Sequence, residues 1–212
     1  MNVNQKETDM SKSRFIKFSG WVFILGSFSF ATILSGSDPL AIPGSMISAV
    51  LLAAGMLSLR AGYSETVSRF GRNILLMGVV GTILWDMVIA FLIVMSSSGI
   101  LYATQAQHDP IGERFWIVVF GGPAVALLAL MLFGLTALRT KPMPRMNGLP
   151  ILAGIWYPAV YSFLFVYLIS HNGVLPDQYW SVVKFTFVIQ FLALCLLGFI
   201  LVIDSPKEMA TA

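Results

Sequence analysis

Long apolar runs alternate with short polar stretches along this chain. The runs cover residues 19–36, 43–59, 74–96, 115–138, 150–170 and 180–203. About 20 apolar residues in a helix cross the roughly 30 Å hydrocarbon layer of a bilayer, and each run reaches or nearly reaches that length. None alternates apolar and polar positions as a membrane β-strand does. A segment in lipid must satisfy its own backbone N–H and C=O groups, so the runs are predicted to be α-helices. The predicted fold class is all-α, a polytopic transmembrane six-helix bundle over residues 19–203 between polar tails at 1–18 and 204–212. The first tail is expected to lack order up to Lys12. No Ala-x-Ala-like site follows the first run, which is read as a retained helix and not as a removed signal peptide. The connections are short: Gly36, Asp38 and Pro39 mark a turn at 36–42, Pro142, Pro144 and Gly148 mark 139–149, and Asn172, Gly173 and Pro176 mark 171–179. Stretch 97–114 is the longest. Short connections make successive helices antiparallel neighbours.

Composition narrows the medium. Of 212 residues 57% are hydrophobic and 11% charged, against about 25% charged in an ordinary soluble domain. The mean hydropathy is +0.83. So few charges cannot cover a globule of this size in water, which excludes a soluble enzyme, a disordered chain and a nucleic-acid-binding domain. The partner the sequence requires is the lipid bilayer; a membrane-protein partner or a second copy of the chain stays open. The single cysteine, Cys195, excludes an intramolecular disulfide and reads as a small core residue.

The charges that are present set the expected orientation. Of the 13 Lys and Arg residues, all but Arg114 and Lys184 fall on the tails or on alternate connections. One side holds Lys6, Lys12, Arg14, Lys17, Arg60, Arg69, Arg72, Arg139, Lys141, Arg145 and Lys207. Basic flanks resist translocation, so this side is expected to be cytoplasmic, with both termini inside and an even number of spans. Trp21 near the inner boundary, and Trp116, Trp180, Tyr179 and Tyr102 near the outer one, agree with interfacial aromatic belts; Trp85, near mid-membrane, does not. Two stretches, AVLLAAGMLSLR ending at Arg60 and AVALLALMLFGLTALR ending at Arg139, look alike. They are either parallel repeats or two generic hairpins with basic inner turns.

The stretch Leu59–Arg72, with Arg60, Arg69, Gly71 and Arg72 leading into a Gly-rich span, resembles inner loops of uncharacterised bacterial multi-pass membrane proteins. That resemblance covers the second hairpin. It implies a bacterial cytoplasmic (inner) membrane and no particular activity.

The candidate chemistry centres on Asp86, close to the middle of the third run. An aspartate there costs on the order of 2.5–3.5 kcal/mol and must face the bundle interior, carry a proton, or both. Thr82 one turn earlier, Gly78 before it and Ala90 after make a small, polar stripe with Asp86, while Met87, Phe91 and Val94 form another face and Ile89 is read as off the stripe. Counting helical rise from the outer boundary puts Gln190 and Tyr161 level with Asp86, and Tyr157 one turn below Tyr161. Asp86, Gln190 and Tyr161 are therefore expected to meet. The group is either a hydrogen-bonded clamp worth about 0.6–2 kcal/mol or a proton- or cation-responsive site.

Other features read as structural. Lys184 is expected to snorkel to the outer interface. Pro123, after Gly121 and Gly122, and Pro158 are expected to kink or break their helices, the fourth run being the strongest candidate for a discontinuous helix. His108, Asp109, Glu113 and His171 are metal-competent, but their spacing fits no metal motif. No GxSxG, HExxH, Walker A or GxGxxG occurs, so no catalytic residue and no cofactor is assigned. Two functions follow: a structural or accessory protein of a membrane assembly, or a small transporter or channel using Asp86.

Overall fold

The structure, a computed structural model, describes residues 3–34, 38–97, 121–143, 146–170 and 177–203. Among the described residues there are six helices: α1 Val3–Leu34, α2 Asp38–Gly62, α3 Arg69–Ser97, α4 Gly121–Thr140, α5 Leu149–Ser170 and α6 Asp177–Ile203. No strand occurs among them. Five, α2 to α6, are long and apolar enough to cross a membrane.

Helix boundaries run past the apolar runs at several ends. The first tail is not disordered up to Lys12: α1 is helical from Val3. At about 1.5 Å per residue its 32 residues extend about 48 Å. Residues 38–42, expected in a turn, open α2 instead. Pro39 causes no break there, because a first-turn N–H has no partner inside a helix. The third helix starts at Arg69, five positions before its apolar run. Ser68 Oγ accepts from the Gly71 N–H at 3.2 Å, the geometry of an N-cap. Arg72 Nη1 closes the α2–α3 turn by donating to the Ser64 carbonyl at 2.8 Å. Polarity ends a hydrophobic run, but only loss of backbone hydrogen bonding ends a helix. Arg60, Arg69 and Arg72 therefore stand on helices, not in a loop.

The helices pack α1 on α2 and α6, α2 on α3 and α4, α4 on α3 and α5, and α5 on α6. Polarity is inverted relative to a soluble protein. Ser19, Ser27, Ser45, Ser48, Thr82, Asp86, Thr186 and Gln190 are buried, while Phe70, Met77, Met87, Phe91, Val94 and Phe185 are exposed, Met77 to 72%. Exposed apolar surface on this scale matches lipid as the surrounding medium. With lipid outside, helices gain little from hiding apolar surface and associate by close packing of small residues. Gly20 and Gly198 show this where α1 crosses α6: a Cβ on either would stand 2.5 Å from the other's carbonyl oxygen. The chain is a membrane-embedded helical protein.

Candidate functional site

The α3 stripe is built as its spacing predicts. Leu75, Gly78, Val79, Thr82, Asp86 and Ile89 are buried, and Met87, Phe91 and Val94 face outward. Ile89 is a correction: it is fully buried on the stripe, because position 89 lies three residues beyond Asp86 and shares its face. Gly78 lets α3 approach its neighbours; a Cβ there would press on Ala129 of α4 and stand 3.2 Å from Met56 Sδ of α2. Thr82 Oγ1 donates back to the Gly78 carbonyl at 2.7 Å.

Asp86 lies at the junction of α2, α3 and α4. A Cβ on Gly122 would stand 3.1 Å from Asp86 Oδ1, 3.4 Å from Trp85 Cδ1 and 3.7 Å from Ala49 Cβ. The carboxylate is thus pressed against a glycine backbone that only a missing side chain leaves open. Asp86 is 9% exposed, and neither carboxylate oxygen has a hydrogen-bond partner among the described residues. Among the described residues the helices packed against α3 bring no charge to this level: the cations on α2 and α4 are Arg60 and Arg139, near their far ends. Arg139 is about 25 Å along α4 from Gly122. Trp85, out of place in an interfacial belt, is explained by Gly121, since a Cβ on Gly121 would fall within the indole.

Gln190, Tyr157 and Tyr161 come together elsewhere. Gln190 is fully buried. Its Oε1 accepts from the Tyr157 N–H at 3.3 Å and its Nε2 donates to the Ala153 carbonyl. These are the two groups of one i→i−4 step of α5, immediately before Pro158. Proline supplies no N–H to the Gly154 carbonyl, which weakens the ladder at this turn. The Gln190 amide spans it. Tyr157 and Tyr161 lie nearly parallel, centroids 6.3 Å apart, and Phe187 tilts onto Tyr157 at 5.4 Å.

The expected meeting of Asp86, Gln190 and Tyr161 therefore does not occur as a hydrogen-bonded cluster. Equal depth along separate helices fixes height but not which helices are neighbours. Asp86 and Thr82 look onto α2 and α4, whereas Gln190 and the tyrosines belong to the α5–α6 contact. Lys184 is exposed, consistent with snorkelling. Cys195 is half-buried with Sγ 2.9 Å from Ser27 Oγ, a contact between α6 and α1. His108, Asp109, Glu113, Arg114, Trp116, His171, Arg145 and the part of the fourth run before Gly121 lie outside the described residues.

The residues that sequence reasoning missed are the glycines. Gly122 at Asp86, Gly134 and Gly154 between α4 and α5, and Gly20 and Gly198 between α1 and α6 each allow a close approach. Glycine at these positions was the available signal, without indicating the facing helix. No protein-family model, curated protein or solved structure matches the chain.

Proposed function

We propose that this protein is a small transporter or channel-like protein that conducts protons, with Asp86 as the group that binds them. The observation that carries the reading is the Asp86 side chain itself: buried at mid-helix among small residues, with both oxygens unpartnered. A structural clamp is expected to make hydrogen bonds, as Gln190 does on α5. A buried polar group left without partners costs about 1–3 kcal/mol, more if charged, and adds no cohesion in return. Ionisable residues held at such depth mark ion and proton paths. The described side chains next to Asp86 offer no second carboxylate, imidazole or thiol, which favours a proton over a divalent metal ion.

The test is flux across liposomes containing the purified protein and a trapped pH indicator. A proton gradient is expected to dissipate faster with the wild type than with Asp86→Asn, which keeps the shape and loses titration. Equal rates for the two proteins would overturn the reading. The accessory role would then stand, and an Asp86→Leu protein altered only in folding would support it.

The proposal extends to placement. α1 is taken as a sixth span because it packs along α2 and α6 and crosses α6 at Gly20. The basic ends then share one side, taken as the cytoplasmic face of a bacterial inner membrane. With Cys195 replaced by Ser, a cysteine at Arg69 is expected to react with an impermeant thiol reagent in inverted vesicles and not in intact cells. Labelling in intact cells would reverse the orientation.

A further inference from the structure

We propose that Met56 is a gate on the proton route through Asp86: its side chain closes the α2–α3–α4 junction between Asp86 and the basic end of the bundle. This inference rests on the reading of Asp86 as the proton-binding group. The register of the three helices sets the geometry. At one level, a Cβ on Gly122 of α4 would meet Asp86 Oδ1 of α3 and Ala49 Cβ of α2. At a second level, a Cβ on Gly78 of α3 would meet Ala129 Cβ of α4 and Met56 Sδ of α2. Met56 follows Ala49 by seven positions, Ala129 follows Gly122 by seven, and Gly78 precedes Asp86 by eight. At about 1.5 Å per residue, the second level therefore lies about 10–12 Å nearer the basic end on all three helices.

Side chains along this column differ in bulk. Between the two levels stand Ala53 of α2, Thr82 of α3 and Ala126 of α4, all buried. At the second level Gly78 and Ala129 contribute little volume, so the Met56 thioether, 1% exposed, fills the junction. Methionine is unbranched, with three rotatable bonds, so it can leave and refill such a gap while the backbone stays in place. Thr82 Oγ1 donates to the Gly78 carbonyl and keeps lone pairs that can accept from water entering the gap.

The far side of Met56 also carries an unsatisfied polar group. Arg60 lies one turn past Met56 on the same face of α2. It is half-buried, and its Nε–H is buried with no acceptor among the described residues. Buried donors are ordinarily met by protein or by water. The column thus asks for water at Arg60 and for a proton at Asp86, and the apolar Met56 side chain stands between them.

The experiment measures dissipation of a proton gradient by full-length protein in liposomes with a trapped pH indicator. Met56→Ala is expected to run roughly tenfold faster than wild type, a barrier lower by about 1.4 kcal/mol. Met56→Ala combined with Asp86→Asn should fall to the rate of Asp86→Asn alone. Leu197→Ala, an equal truncation at a buried position of α6, should match wild type. Met56→Ile keeps the volume, so it guards against misfolding of the Ala variant; its stiff branched side chain should slow the flux roughly threefold. Asp86-dependent wild-type flux with Met56→Ala no faster and Met56→Ile no slower would overturn the gate and leave the transport reading standing. A fast Met56→Ala rate that survives Asp86→Asn would also overturn it, as a leak that bypasses Asp86. Equal rates for wild type and Asp86→Asn would overturn the transport reading and the gate with it.

Discussion

Gly154→Ala is expected to force α4 and α5 apart and to lower the unfolding midpoint in detergent by roughly 6–12 °C. The added methyl would press on the Leu127 carbonyl oxygen and stand 2.5 Å from Met131 N and 2.8 Å from Met131 Cα. All three are backbone atoms of α4, so no side-chain rotation relieves the overlap. Gly134 makes the converse approach, with a Cβ there 2.6 Å from Ile151 N. Overpacking costs typically about 1–3 kcal/mol, and rigid backbone on both sides argues for the upper end. About 2–4 °C per kcal/mol for a chain of this size gives the stated range. Gly148→Ala is the control. Its methyl would meet Leu138 Cδ2 at 3.5 Å, an ordinary contact, and the midpoint should stay within about 2 °C. A Gly154→Ala protein as stable as wild type would mean that α4 and α5 do not touch at this turn.

The second large effect is expected at Gln190. Gln190→Leu removes the amide that holds the Tyr157 N–H and the Ala153 carbonyl. Hydrogen bonds between membrane helices average about 0.6 kcal/mol and reach about 1.7. Here two are lost at once beside Pro158, so a loss of about 1–3 kcal/mol is expected, read as a midpoint lower by roughly 2–12 °C. Gln190→Glu separates hydrogen bonding from packing. An ionised Glu can still accept from Tyr157 but has no proton for the Ala153 carbonyl; a protonated one has. The Glu variant is expected to recover part of its stability as pH falls, whereas the Leu variant stays low. Parallel pH profiles for the two would show that Gln190 contributes by shape alone.

The prominent features of the α3 stripe were legible because they depend on short-range regularities. The period of the helix puts Gly78, Thr82 and Asp86 on one face and Met87, Phe91 and Val94 on another, whatever surrounds them. The partners of Asp86 were not legible. Helical rise concerns height alone, and the sequence does not state that α4 packs on both α3 and α5 while Gln190 is spent on the α5–α6 contact. The extent of α1 was misread for a related reason. Its first half is polar, and polarity reports solvent rather than backbone hydrogen bonding.

By itself the sequence determined the medium, the class of fold and the spans of five helices. It did so because transfer of apolar side chains into lipid is a sum over residues and needs no knowledge of neighbours. The tertiary structure alone decided which helices touch, that Gln190 bridges a turn of α5, and that Asp86 is left against the bare backbone of Gly122 with no hydrogen-bond partner among the described residues. Those outcomes depend on where glycines allow two backbones to meet. Such a meeting is a property of pairs of distant segments, which no local pattern encodes.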